Sequence, residues 1–419
     1  NVVINHHIGK YKDKFPAIVS AIHSNLDVDD LVHSVNNEDE AVEFHSISST
    51  IFKEASMELR KWQCSHPGID KSWSDGLGED KVLGMIWNKK EDTVQISFPI
   101  IQFSSDITKR SLLTTLASIY DPMGLILPSS IKLKFFISEL WERKIEWDNL
   151  LSPQLHRRAN KILIDLHKLE NFQLPRKLFN MISTEYDLII FCDSSNKAIG
   201  VAVYLSNGVE AKYIFGKSKM LKPRKIVTGE LLALSAGANL ADALKSMITI
   251  NKTILVSDSK ANVDRLSTDI NKFPQCVATH LYNIRAKIDA IHWIAGVQNP
   301  SDTFTRGISS EQLSDVHNLD RQILQEIYDK SHQFSSLTIK IENPLTINID
   351  VNQSLSYNEW IQLIQQHINN ENDDPLTVLI KLNQQKFLSD LDHFPNTFVD
   401  EFGDHVLVRD HYRNREKWP

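Results

Sequence analysis

The stretch Leu188-Ile189-Ile190-Phe191-Cys192-Asp193-Ser194-Ser195 decides the fold. A run of apolar residues ends on a carboxylate, as in a buried strand whose last side chain emerges at the rim of a sheet. Two strand-like runs follow at hairpin distance, Ile199-Gly200-Val201-Ala202-Val203-Tyr204 and Ala211-Lys212-Tyr213-Ile214-Phe215. Beyond them the spacing predicts a helix over 228–246, a strand over 253–257, a helix near Ala261, a helix over 275–287 and a strand over 290–294. The order β-β-β-α-β-α-α-β describes a mixed five-stranded sheet with helices on its faces.

Three further acids stand at comparable places. Asp258 follows the fourth strand in Val256-Ser257-Asp258-Ser259, Glu230 heads the predicted helix, and Asp302 lies in Asn299-Pro300-Ser301-Asp302. Strands one and four, if parallel neighbours, bring Asp193 and Asp258 together. The small residues of Leu231-Leu232-Ala233-Leu234-Ser235-Ala236-Gly237-Ala238 let the helix pack closely, so that Glu230 faces the same rim. Carboxylates gathered in this way cost several kcal/mol unless something neutralises them. Such a cluster can hold two Mg²⁺ ions about 3.5–4 Å apart for phosphodiester hydrolysis, and an all-carboxylate donor set suits Mg²⁺ or Mn²⁺. Taken singly, each acid has a plainer reading: Asp193 and Asp258 as strand-ending Asx turns, Glu230 as a first-turn acid favoured by the helix dipole, Asp302 as a helix N-cap.

Outward toward the N-terminus the pattern is α+β. Helices are predicted over 17–24 and 38–61, around an acidic turn at Asp27-Val28-Asp29-Asp30, and two strands over 82–87 and 93–98. Residues 108–175 are mainly helical, with helices over 111–119 and 130–147, a break at Asp121-Pro122-Met123-Gly124, and a helix start at Ser152-Pro153. Past Gly307 the chain turns polar, and apolar spacing returns only over 376–408, where a small subdomain is expected around Val406-Leu407-Val408.

The chain has 419 residues, 42% of them apolar and 24% charged, which is ordinary globular composition for two or three domains. Its net charge of −7 is unevenly distributed. Residues 186–308 hold 15 Lys and Arg against 10 Asp and Glu, whereas residues 309–419 hold 9 against 18. The central region is therefore basic, and Lys217, Lys219, Lys222, Arg224 and Lys225 form a stripe suited to phosphates or, failing a partner, a solvated loop. Three dispersed cysteines, Cys64, Cys192 and Cys276, indicate neither a disulfide framework nor a zinc site, in keeping with a reducing, cytoplasmic setting. No stretch reaches the ~20 apolar residues of a membrane span, and the chain begins at Asn1, as a processed product or part of a longer polyprotein would.

These residues resemble the polymerase polyprotein of BEL/Pao-type LTR retrotransposons. Lys10-Tyr11-Lys12-Asp13-Lys14-Phe15-Pro16 and Asn25-Leu26-Asp27-Val28-Asp29-Asp30-Leu31 look like the approach to the polymerase turn, Arg60-Lys61-Trp62 like the helix after it, and Val82-Leu83-Gly84 like the primer grip. Ser118-Ile119-Tyr120-Asp121-Pro122-Met123-Gly124-Leu125, with Leu140-Trp141 and Trp147-Asp148, looks like the family's connecting segment. Phe191 to Ser195, Gly229-Glu230-Leu231, Ser257-Asp258-Ser259 and Asn299 to Gly307 look like ribonuclease H blocks. The resemblance implies metal-ligand and catalytic roles for Asp193, Glu230, Asp258 and Asp302, a polymerase-turn remnant at Asp29 and Asp30, and an RNA–DNA hybrid as substrate.

On that resemblance the chain divides into a partial reverse transcriptase palm (1–107), a helical thumb- or connection-like segment (108–185), a ribonuclease H-like domain (186–308), and an acidic linker leading toward an integrase (309–419). An upstream polymerase segment and a downstream integrase are the expected partners. Asp27 replaces an aromatic of the family's turn and the upstream palm is absent, so DNA synthesis by this chain alone is not expected. A non-catalytic nucleic-acid-binding remnant stays open as the alternative. An aspartic peptidase would need an Asp-Ser/Thr-Gly turn, and Asp193-Ser194-Ser195 and Asp258-Ser259-Lys260 both lack the glycine.

Overall fold

The computed structural model describes residues 2–27, 30–35, 37–73, 81–99, 101, 106–179, 185–221, 226–245 and 248–333. The N-terminal part opens with helices α1 (Val2–Gly9) and α2 (Pro16–Asn25), then a two-residue hairpin of β1 (Leu26–Asp27) and β2 (Asp30–Leu31). Helix α3 (Glu38–Glu54) starts at an Asn37 cap and three acids in its first turn. It ends at Glu54, well short of the predicted residue 61, because Ser56 and Lys61 take positive φ and break the helical path. Ile8, Val19, Ile22, Phe44, Ile51 and Phe52 form the core between these helices.

After α4 (Pro67–Trp73) come β3 (Lys81–Val82), β4 (Met85–Asn88) and β5 (Thr93–Ile96). The two strands expected here belong to a four-stranded antiparallel sheet. Its last member arrives from beyond the connecting helices α5 (Lys109–Ser118), α6 (Leu127–Glu142) and α7 (Pro153–His167) as β6 (Gln173–Pro175), paired with β5. Arg176 grips Asp92 with two hydrogen bonds of 2.6 and 2.9 Å just past that strand. Helix α6 starts three residues earlier than predicted, since Pro128 suits a first turn, and stops at Glu142, two residues before Lys144 takes positive φ. Ser152 caps α7, with Pro153 at its first position, as expected.

The remaining strands are β7 (Asp187–Ser194), β8 (Ala198–Ser206), β9 (Ala211–Met220), β10 (Lys252–Ser257), β11 (Ala290–Trp293) and β12 (His332–Gln333). They interleave with helices α8 (Ile226–Lys245), α9 (Lys260–Ser267), α10 (Gln275–Arg285), α11 (Thr303–Arg306), α12 (Leu313–His317) and α13 (Arg321–Lys330). The sheet order is β12-β11-β10-β7-β8-β9. β7, β8 and β9 run antiparallel in sequence, whereas β10 is parallel to β7 and β11 to β10. The five predicted strands are all present, and the two-residue β12 adds a sixth at the β11 edge. This is the expected mixed sheet with flanking helices.

Alternation along the strands sends side chains to two cores. Ile189, Phe191, Ala202, Tyr204, Ile254 and Val256 share one with Leu133, Phe136 and Leu140 of α6. Leu188, Ile190, Cys192, Val201, Val203 and Leu255 share the other with Leu231, Leu234 and Ala238 of α8 and Leu281 and Ile284 of α10. Both faces of the sheet are packed along β7, β8 and β10.

The Asp121-Pro122-Met123-Gly124 turn docks the connecting helices onto the edge strand. Asp121 accepts from Leu125 N and Ile126 N at 2.7 and 3.0 Å. Gly216 of β9 donates to the Met123 carbonyl at 2.9 Å, and Tyr213 donates to that of Gly124 at 2.8 Å. Gly124 has φ +70°, and a Cβ there would strike the Gly216 carbonyl, so glycine is required twice over. The paired tryptophans have a local reason too. Lys109 is buried with its ammonium 3.8 Å from the Trp141 ring centroid and 4.7 Å from that of Trp147.

Candidate active site

Asp193 is the seventh residue of β7 and Asp258 follows the last residue of β10. The parallel register pairs Cys192 with Ser257, so the next residue on each strand is an acid, and the two project from neighbouring strand ends. Asp193 is buried at 3% exposure and Asp258 is half-buried. The Asx-turn alternative fails for Asp193, which is still in ladder pairing with Gly200.

Glu230 reaches the rim through close helix packing. Helix α8 begins at Ile226, so Glu230 is its fifth residue rather than its head. A Cβ on Gly229 would sit against the Ser194 hydroxyl and one on Gly237 against Cys192 Sγ. Two glycines two turns apart therefore bring α8 onto β7. The Glu230 carboxylate accepts from the Ser259 hydroxyl and from Asn262 Nδ2 at 3.5 Å, which ties it to the start of α9.

Asp302 is set by a turn anchored to the same strand. Asn299 is buried, donates to the Cys192 carbonyl at 3.3 Å, and accepts from the backbone and hydroxyl of Ser301 at 3.2 and 2.6 Å. Asn299, not Asp302, thus provides the cap. Asp302 instead pairs with Arg306 one turn on. Thr305, on α11, donates its hydroxyl to Asp193 Oδ2, and the Thr305 hydroxyl oxygen also lies 3.0 Å from the Asp302 carbonyl. Gly200 makes room for this: a Cβ there would lie 2.7 Å from Phe304 Cβ and 2.9 Å from the Ser301 carbonyl.

The electrostatics follow from this crowding. Burial raises the Asp193 carboxyl above its ordinary value, and the charges of Asp258 and Asp302 add to that, against the Thr305 hydrogen bond. Asp258 is raised by burial, then by Glu230 and Asp302, against a side-chain hydrogen bond from Asn299. Its Oδ1 is buried with no hydrogen-bond partner, while Oδ2 faces Gly296, where a Cβ would come within 2.8 Å. An unpaired buried oxygen among like charges fits a cation-binding role. The donor set, all carboxylate oxygen, fits Mg²⁺ or Mn²⁺. Among the described residues no three acidic, histidine or cysteine side chains are closed into a cage around one point. Ser259, Asn262 and Arg306 hold two of the four acids in protein contacts instead.

Of the basic stripe, Lys217 and Lys219 are exposed on β9. Pairing of Lys217 with Val201 and Lys219 with Ile199 puts both on the α8 face of the sheet. Lys222, Arg224 and Lys225 lie outside the described residues, as do Asp29 and the tail from 334 onward. Asp30 pairs with Asp27 across the β1–β2 hairpin and accepts from Leu83 N at 3.0 Å, joining that hairpin to the β3–β4 turn.

Sequence reasoning missed the residues that hold the acids. Ser259, Asn262 and Thr305 are small polar residues of the kind found at any turn or cap, and Asn299 was noticed only as part of a motif. Trp293, the last residue of β11, is 45% exposed and donates to the Asp258 carbonyl at 3.0 Å. An exposed tryptophan ending a buried strand was the available signal.

Residues 108–259 match the model of the Pao retrotransposon-like RNaseH-like domain family. No curated protein matches the chain. Among solved structures it is similar to the N-terminal RNase H domain of rv2228c from Mycobacterium tuberculosis, solved as a fusion with maltose binding protein: identity is 14%, covering 32% of this chain and 96% of that one, with a TM-score of 0.23. LC11-RNase H1 in complex with an RNA/DNA hybrid shows 10% identity over 31% of this chain and 99% of that one, TM-score 0.24. A foamy viral protease-reverse transcriptase in complex with dsDNA shows 13% identity over 63% of this chain and 52% of that one, TM-score 0.34. No helix among the described residues is long and apolar enough to cross a membrane. Over residues 108–259, a little over a third of the chain, the sequence is thus similar to the Pao retrotransposon-like RNaseH-like domain family.

Proposed function

We propose that this protein is a divalent-metal-dependent endonuclease that hydrolyses the RNA strand of RNA–DNA hybrids, with Asp193, Glu230, Asp258 and Asp302 as metal-binding and catalytic residues. The observation that carries the reading is the pair of acids on adjacent parallel strand ends, Asp193 and Asp258, with a buried, unpartnered oxygen on the second. When bound to these carboxylates, two Mg²⁺ or Mn²⁺ ions supply the positive charge that phosphodiester hydrolysis needs.

The chain's own groups do the positioning. Thr305 fixes one oxygen of Asp193. Ser259 and Asn262 orient Glu230. Arg306 holds Asp302 until a stronger cation competes for it. Lys217 and Lys219, with Lys222, Arg224 and Lys225, would contact backbone phosphates, and an A-form-like hybrid would be recognised through its shape and 2′-hydroxyls. Residues 1–107 would be part of a palm that an upstream segment completes, 108–185 the connection, 186–308 the nuclease, and 309–419 the approach to an integrase.

The test is a labelled RNA–DNA hybrid incubated with Mg²⁺ and the chain, beside Asp258→Asn and an RNA duplex. Hybrid-specific cleavage lost in the variant is expected. An intact hybrid with both Mg²⁺ and Mn²⁺, bound but not cut, would overturn the reading in favour of a non-catalytic binding remnant.

A further inference from the structure

The turn after Asp193 turns a lysine toward the connecting helices. Lys197 is exposed, and its ammonium lies 5.5 Å from the ring centroid of Phe135 on α6. With Lys132 and Phe135 of α6 and Arg158 of α7 it lines a cleft beside the β7–β8 hairpin. The charges there do not balance. Lys132 pairs with Asp165 at 3.3 Å; Arg158 grips Glu139 with bonds of 2.8 and 2.6 Å, and Arg143 reaches the same carboxylate at 2.7 Å. Lys197 makes no ion pair among the described residues. Of the charged residues lining the cleft, Lys132, Arg158 and Lys197 stand against Glu139 alone, with Asp165 and Arg143 paired to Lys132 and Glu139 from outside it. Arg158 holds the Glu139 carboxyl down at about 2, so the pair is fully charged at neutral pH and its guanidinium is fixed in place.

A solvated lysine resting on an aromatic ring is the plain account of Lys197. Its position argues for more. Lys197 belongs to the same hairpin as Asp193, and strand rise puts it roughly 10 Å away, within a few nucleotides of a strand that rises about 3.4 Å per residue. We infer that the cleft of Lys132, Arg158 and Lys197 binds a backbone phosphate of the nucleic acid lying across the acids, making the connecting helices part of the substrate surface. This rests on the nuclease reading for its choice of ligand, but it concerns binding rather than cleavage. Lys197 is on the α6 face, whereas Lys217 and Lys219 are on the α8 face, so the two basic groups would grip the nucleic acid from opposite sides of the hairpin.

The experiment measures binding of a fluorescent RNA–DNA hybrid to the full chain carrying Asp258→Asn, with Mg²⁺, over a series of KCl concentrations. Adding Lys197→Gln is expected to weaken binding about three- to tenfold and to reduce the salt slope by about 0.9, the loss of one phosphate contact. Glu139→Gln is expected to tighten binding, because it removes a competing carboxylate. Lys168→Gln, which breaks an exposed pair with Glu311 at the end of α7, is the control and should leave the slope unchanged. A Lys197→Gln slope equal to that of its parent overturns the inference, as does polyglutamate competing as well as hybrid does, which would indicate an acidic protein partner. Lys197-dependent binding by a native chain that never cleaves removes the nuclease reading and keeps this one. Cleavage with a slope indifferent to Lys197 does the reverse.

Discussion

Thr305 and Asp193 are joined by a hydrogen bond between residues 112 positions apart, a side-chain bond to the Asp193 carboxylate that stands beside a backbone one from Ser194. Thr305→Val removes the donor and leaves a buried carboxylate short of a partner, at a cost of about 1–3 kcal/mol. Thermal unfolding of the metal-free chain should show the loss, and titration with Mn²⁺ should show weaker binding. Thr305→Ser should restore most of both. A valine variant that melts with the parent would remove any structural weight from the bond.

The crowded acids give a sign-definite pH prediction. Asp193 and Asp258 have carboxyls raised above the ordinary 3.8 in the folded chain. Between that value and the raised one the folded state binds more protons than the unfolded state, so their contribution to stability falls as pH rises through the window and is flat above it. Without metal, Asp258→Asn should therefore melt higher than the parent at pH 7, and the gap should close as pH falls toward 4. Excess Mg²⁺ should invert the order at pH 7 by stabilising the parent through binding. Equal melting curves in EDTA at every pH would show that the acids do not repel.

Gly216 is a packing prediction. Its Cβ would meet Phe304 and the Tyr213 hydroxyl, so Gly216→Ala should lose about 1–3 kcal/mol by overpacking. Urea unfolding should show a lower midpoint. The loss should be matched or exceeded by Gly124→Ala, where a positive φ adds backbone strain.

Trp293 separates holding from bulk. Trp293→Phe keeps a ring but loses the donor to the Asp258 carbonyl, a net of about 1 kcal/mol. Hybrid cleavage should fall severalfold in kcat with KM nearly unchanged, whereas Trp293→Ala should also raise KM. A phenylalanine variant with full kcat would mean that the indole N–H does not position Asp258.

The strands were legible because a run such as Leu188 to Phe191 leaves few alternatives, and an acid at the end of each of two parallel neighbours fixed the heart of the site. The helix start at Ile226 was not legible, since Ile226 and Val227 are β-branched and read as extended chain. Strand β6 was missed because three residues ending in Pro175 carry no alternation; only Phe172 and Leu174, packed under the connecting helices, betray it. Thr305, Ser259 and Asn299 were invisible for a different reason. Their hydroxyl and amide groups act on residues 112, 29 and 107 positions away, and no local pattern encodes a partner at that distance.

The central sheet has one face covered by chain that precedes all its strands, Leu133, Phe136 and Leu140, and the other by helices that interleave with them, Leu234, Ala238 and Leu281. This bears on heredity. A recombination that brought in new strands from a relative without the helices before them would deliver a sheet with one apolar face unmatched. Phe136 shares its core with Phe191 and Tyr204, so a change of volume at one is expected to need an answering change at another.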